Sequence, residues 1–98
     1  MNILITSANS ASAYQLKSKL NSDNVILGDY EALPELMLKL GKMIRLPDPK
    51  SGSYSHQMLT LCLDKGIEVI YPLRGEEAVL LKEAEQLFKE YNIDIISM

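Results

Sequence analysis

A loop rich in serine and asparagine follows the first apolar run of the chain, and its residue types suit phosphate binding. Ile3 to Ile5 is typical of a buried strand, and the pattern after the loop predicts a helix. Free amides at a helix start attract an anion, and hydroxyl or amide side chains add donors. The candidate ligands are Ser7, Asn9, Ser10 and Ser12.

The same loop contains none of the glycines of the Gly-x-Gly-x-x-Gly fingerprint. Those glycines let the backbone approach a pyrophosphate. The alternative is a capped β-to-α turn, in which Ser12 and Gln15 form a capping box. Both interpretations, phosphate site and capped turn, stay open at the level of sequence.

Asp29 follows the second apolar run at the spacing where an acidic residue of a dinucleotide site meets a ribose hydroxyl, about twenty residues beyond the loop. The alternative is a local one. In Gly28-Asp29-Tyr30 the carboxylate can accept a hydrogen bond from the backbone and shape the turn after the strand.

The stretch from Tyr71 to Glu77, YPLRGEE, places one arginine and two carboxylates at the start of a predicted helix. Arg74 is a candidate for clamping a carboxylate or phosphate ligand, with Glu77 beside it. The alternative is an exposed arginine next to Glu76 and Glu77, which stabilise the positive end of the helix dipole.

A catalytic or metal site is not predicted. The only histidine, His56, lies in the first turn of a predicted helix without a nearby histidine, cysteine or carboxylate partner in sequence. The only cysteine, Cys62, lies within an apolar pattern and is interpreted as an inert core residue.

Short β-rich runs alternate with helical patterns, which indicates βαβ units and a parallel sheet. Pro34 is expected in the first turn of the second helix, and Gly41, Gly66 and Asn92 are expected to end helices. The predicted strands are Ile3–Thr6, Asn24–Gly28, Met43–Leu46, Ile67–Tyr71 and Ile93–Ile96, and the predicted helices run from the Ser12 cap to about Leu20, then over Leu33–Leu40, Tyr54–Lys65 and Gly75–Tyr91.

These elements predict one α/β domain over residues 1–98, a three-layer α/β/α sandwich. The five-stranded parallel sheet is expected in the order 3-2-1-4-5, which is that of a half-Rossmann, Rossmann-like fold. Ligands of such sheets bind past the carboxyl ends of the strands, where the strand order reverses. Residues 7–12 and 73–76 face that point between the first and fourth strands, and Asp29 lies beside the first loop.

Composition limits the partners. The net charge of -3, with scattered lysines, argues against a nucleic-acid partner. No apolar run is long enough to cross a bilayer, which argues against a membrane protein. One cysteine and no signal-like segment favour the cytoplasm.

Over nearly its whole length the chain resembles the amino-terminal pre-ATP-grasp domain of ATP-grasp ligases, in particular proteins similar to the large subunit of carbamoyl-phosphate synthase. The fourth-strand segment is similar to the family's strand-Pro-Thr-x-Asp-x-Glu turn, with matches at Pro72 and Glu77 and with Leu73 and Gly75 in place of Thr and Asp. The stretches that carry the resemblance are 2–8 (NILITSA), 25–29 (VILGD), 45–47 (RLP) and 67–77 (IEVIYPLRGEE).

The resemblance implies a non-catalytic accessory domain that supplies part of the acceptor-substrate cleft of an ATP-dependent carboxylate-amine ligase. ATP and magnesium would belong to an ATP-grasp domain outside these 98 residues, joined in cis or carried by a separate chain. Isolated from that partner, the domain is expected to bury an apolar face in a homodimer. The alternative function is a small nucleotide- or dinucleotide-binding Rossmann-like domain of an oxidoreductase, with the serine-rich loop holding phosphate and Asp29 the ribose.

Overall fold

The computed structural model describes residues 2–20 and 24–96. It contains a five-stranded, all-parallel sheet in the order β3-β2-β1-β4-β5, so the predicted fold and strand order are confirmed. The strands are β1 (Asn2–Ile5), β2 (Asn24–Asp29), β3 (Met43–Arg45), β4 (Val69–Tyr71) and β5 (Asp94–Ile95), and the helices are α1 (Ala11–Lys19), α2 (Glu35–Lys39), α3 (Tyr54–Lys65), α4 (Gly75–Glu83) and α5 (Glu85–Glu90).

Two apolar layers enclose the sheet because successive strand residues point to opposite faces. In β1, Ile3 and Ile5 belong to one core and Leu4 to the other. The first core also takes residues from α1 and α2, including Ala13, and the second takes residues from α3, α4 and α5, including Met58 and Phe88. Helices therefore cover both faces, and the carboxyl ends of all five strands meet at one edge.

The structure confirms that three predicted residues end helices, because each has the left-handed backbone conformation common at helix C-termini. The φ angles are 72° at Gly41, 66° at Gly66 and 61° at Asn92. Strand limits differ from the predicted ones by one or two residues, since strand ends depend on pairing that sequence patterns do not specify.

The expected capping box at Ser12 is wrong. Ser7 has a φ of 58°, and this left-handed turn brings the chain into α1 earlier than the sequence pattern suggested. Ser10 is the N-cap, and its Oγ accepts a hydrogen bond from the Ala13 amide at 3.2 Å. Ser12 lies within the helix and is exposed.

Two other helix predictions are corrected. Pro34 is the N-cap of α2, with an extended ψ of 128°, and does not belong to the first turn. The single helix predicted from Gly75 to Tyr91 is broken at Ala84, whose φ of -99° and ψ of 11° separate α4 from α5. The Ala84 amide is shared between the carbonyls of Leu80 and Leu81, a tightening that closes the last turn of α4.

Candidate functional site

The carboxyl edge of the sheet holds a cluster of charged side chains around Arg74. Asp29 ends β2 and Arg74 lies just after β4, and these two strands flank β1. The Arg74 side chain therefore extends from the end of β4, across the end of β1, to the end of β2. A single side chain thus joins both sides of the point where the strand order reverses.

One nitrogen of the guanidinium makes most of these contacts. Arg74 Nη2 donates to Asp29 Oδ1 at 3.0 Å, to Asp29 Oδ2 at 3.1 Å and to Glu31 Oε1 at 2.9 Å. The guanidinium carbon also lies 4.7 Å from the centre of the Tyr30 ring, which is cation–π distance. Burial alone lowers the pKa of Arg74, but Asp29, Tyr30 and Glu31 outweigh burial and the net shift is upward.

Glu77 lies on the inner side of the cluster and is fully buried. Its Oε2 accepts a hydrogen bond from the Tyr54 hydroxyl at 2.7 Å. Its Oε1 lies 3.5 Å from Arg74 Nε, close enough for an ion pair but too long for a good hydrogen bond. Among the described residues, Glu77 Oε1 and Arg74 Nε have no hydrogen-bond partner.

Burial explains the protonation behaviour of this inner pair. Burial raises the pKa of Glu77, and the Tyr54 hydrogen bond and the Arg74 charge oppose the shift without cancelling it. The pKa of Tyr54 is also raised, first by burial and then by the charge of Glu77. Tyr54 therefore stays neutral across the physiological range and is the hydrogen-bond donor to Glu77.

Hydrogen bonds from backbone amides to side chains hold the loop after β4 and the turn after β2 in place. Thr6 Oγ1 accepts a hydrogen bond from the Leu73 amide at 2.9 Å, which ties the end of β1 to the loop that carries Arg74. On the other side, Asp29 Oδ1 accepts one from the Glu31 amide at 3.2 Å. Asp29 therefore accepts a hydrogen bond within its own turn, as the local alternative in the sequence analysis predicted, and also forms an ion pair with Arg74.

The close approach of β3 explains one glycine beside the cluster. A Cβ atom at Gly28 would lie 2.8 Å from a side-chain carbon of Leu46, below normal contact distance. Gly28 thus allows tight packing between β2 and the residue after β3.

The structure brings together three of the predicted site residues, Asp29, Arg74 and Glu77. The serine-rich loop makes internal contacts of its own. Ser10 Oγ donates to the Ser7 carbonyl at 2.8 Å, and Asn9 Nδ2 donates to the Ala32 carbonyl at 3.3 Å. Ser12 is exposed on α1. The phosphate role of these four residues stays a prediction.

Sequence reasoning missed Glu31, Tyr30 and Tyr54 as members of the cluster. The helix α3 follows the parallel strand β3 along the chain, so Tyr54 at its start lies near the carboxyl edge of the sheet. A tyrosine at that position is an amphipathic side chain whose hydroxyl needs a partner when buried, which was the available signal. Glu31 and Tyr30 had the signal of directly following Asp29.

The arrangement holds one cation among three carboxylates and an aromatic face. Since the Arg74 charge is already paired, a ligand anion at this point would compete with Asp29 and Glu31.

Within residues 2–20 and 24–96, no group of three histidine, cysteine or acidic side chains lies close enough together to bind a metal ion. Cys62 is buried, and burial raises the pKa of its thiol to about 12, as suits a core residue.

None of the helices in the described part of the chain has the length and hydropathy that a membrane span requires. No model of a known protein family matches the sequence, and no significantly similar curated protein is found.

Proposed function

We propose that this domain is a non-catalytic accessory module of an ATP-dependent carboxylate-amine ligase of the ATP-grasp kind. In this proposal it packs against the catalytic domain, in cis or as a separate chain, and forms part of the cleft for the acceptor substrate. The parent enzyme would act in the cytoplasm. The stretches that resemble pre-ATP-grasp domains motivate the proposal, including Pro72 and Glu77 after β4.

The observation that carries it is the Arg74 ion pair across the end of β1. In a nucleotide-binding Rossmann-like domain this position receives the ligand. Here Arg74 and Asp29 bind each other at 3.0 Å, and Asp29 is only 1% exposed. A ribose could bind Asp29 only after that pair had separated, so a supporting role fits this edge better than a nucleotide site.

In this proposal the nucleotide and the metal bind to the catalytic domain. The loop before α1 contains no glycine with which to approach a triphosphate. Self-association of the isolated domain is part of the same proposal, and Val79 on α4 is an exposed apolar side chain available to such a contact.

Calorimetry on the 98-residue chain tests the accessory role. We expect no heat of binding with MgATP or with NAD at millimolar concentration. Micromolar binding of either would overturn the proposal. Ser10→Ala and Ser12→Ala would then form a matched pair, because only Ser10 caps the first turn of α1. Loss of binding in Ser10→Ala alone would identify that loop as a phosphate site.

The ligase assignment needs a positive result as well. The protein is tagged at its chromosomal gene and purified in its natural form, and mass spectrometry identifies every polypeptide present. We expect an ATP-grasp segment, and release of ADP and phosphate that requires both a carboxylate and an amine. A natural protein without such a segment would contradict the proposal.

A further inference from the structure

The cluster around Arg74 has more acceptors than its one cation satisfies. Asp29, Glu31 and Glu77 all lie within ion-pair distance of the guanidinium, and Nη2 alone serves three of their oxygens. Carboxylates recognise planar guanidinium groups through several hydrogen bonds, so the arrangement is suited to such a group.

A second observation concerns hydrogen bonding at the buried Glu77 carboxylate. Glu77 is fully buried, yet its Oε1 has no hydrogen-bond partner among the described residues and faces Arg74 Nε at 3.5 Å. A buried carboxylate oxygen without a donor is costly. A donor that approached within about 2.9 Å would satisfy it.

The cluster is also open on one side. The Glu31 side chain is 57% exposed and that of Arg74 is 23% exposed, whereas Asp29 is buried. Arg74 precedes α4 as its N-cap residue, and its side chain caps no amide there. Rotation of the Arg74 side chain toward solvent would therefore break no capping hydrogen bond of α4.

We propose that Asp29, Glu31, Glu77 and the Tyr30 ring form a binding site for an organic cation, an alkylguanidinium or alkylammonium group, which Arg74 occupies in the closed state. An organic cation is favoured over a metal ion because, within the described residues, Asp29, Glu31 and Glu77 form no group that could hold a metal ion. The Tyr30 face at 4.7 Å adds an attraction that suits a delocalised cation. The site does not depend on the ligase assignment.

Chemical rescue tests the site. Removal of the guanidinium in Arg74→Ala leaves the carboxylates without a cation, and methylguanidinium should take its place. We expect a saturable rise in the melting temperature of this variant, of the order of 5 °C at ten times Kd. Sodium chloride at equal ionic strength is the control, and Asp29→Asn in the Arg74→Ala background should abolish the rise. A folded Arg74→Ala protein that responds equally to both salts would overturn the site.

The wild-type protein tests the displacement of Arg74 and covers the case in which Arg74→Ala fails to fold. The Nε–Hε resonance of Arg74 is followed by NMR during titration with n-butylguanidinium to tens of millimolar, with sodium chloride at equal ionic strength as the control. We expect a saturable shift with n-butylguanidinium only, accompanied by shifts at Tyr30 and Glu31. A resonance that stays fixed would overturn displacement. Neither experiment uses ATP, so failure here leaves the proposed function separately testable.

Discussion

The two ends of the same sheet are each held by one side chain, and they differ in charge and burial. At the amino end, Asn2 of β1 donates to the Gly66 carbonyl at 3.1 Å and accepts from Asn24 at 3.2 Å, with all partners exposed. At the carboxyl end, Arg74 joins Asp29 and Glu77 through ion pairs that include fully buried oxygens. Solvent-exposed hydrogen bonds between neutral groups contribute little to the free energy of unfolding, whereas breaking a buried ion pair lowers it strongly. The carboxyl end should therefore dominate the response to mutation.

The largest effect is expected for Glu77→Ala. It leaves the buried Tyr54 hydroxyl without its acceptor and opens a small cavity, so the free energy of unfolding should fall by about 3 kcal/mol. Urea unfolding measures the change. Glu76→Ala is the matched control on the exposed side of the same turn and should change stability by less than about 0.5 kcal/mol. Equal small effects for both variants would remove the distinction between the two ends.

A smaller loss is expected for Tyr54→Phe, which removes only the hydroxyl and keeps the ring in the core. The buried Glu77 carboxylate loses its donor, and the cost should be about 1–2 kcal/mol. Tyr14→Phe controls for the loss of a hydroxyl as such, because Tyr14 is exposed on α1. A Tyr54→Phe protein as stable as Tyr14→Phe would show that the 2.7 Å bond contributes nothing net.

The pH dependence should be weaker still, since Tyr54 and Arg74 offset part of the burial effect on Glu77. A carboxyl whose pKa is raised in the folded state binds its proton more tightly there than in the unfolded chain. Its contribution is fully present below its ordinary pKa of 4.5 and is lost as pH rises through the folded pKa. The difference in stability between wild type and Glu77→Gln should therefore shift against wild type as pH rises above 4.5. A difference independent of pH would contradict the raised pKa.

At the amino end, Asn2→Ala should cost only about 0.5–1 kcal/mol, because water replaces the exposed hydrogen bonds of the amide. Asn24→Ala removes one of these bonds and should cost less than Asn2→Ala. Thermal unfolding at one pH compares the two. A loss at Asn2 as large as that at Glu77 would reverse the ranking of the two ends.

Sequence patterns predicted the strands, their order and most helix ends, because apolar periodicity and residues such as Gly66 act locally. The break at Ala84 had no such signal. No glycine or proline is near it in the sequence, and both Leu81 before it and Phe88 after it fit a continuous apolar stripe. Packing of two short helices on the sheet is a tertiary effect, which helical periodicity alone does not encode.

The candidate site was predictable in its location but not in its bonding. Asp29 and Arg74 each follow a strand, and the strand order placed both at the same edge. Their pairing across β1 joins residues 45 positions apart, and charge alone did not distinguish it from solvent exposure. The serine-rich loop drew attention through its composition, whereas the positive φ of Ser7 and the true cap at Ser10 depend on backbone geometry.

The central position of β1 affects how the protein is made. Its first partner, β2, is synthesised soon after it, but the strand on its other side begins at Val69. At translation rates of about 5–20 residues per second, the 64 residues from Thr6 through Val69 take roughly 3–13 s to add. Throughout that interval an Ile-Leu-Ile strand has one edge without hydrogen-bond partners. The middle strand of the finished sheet is thus completed as a central strand only late in synthesis.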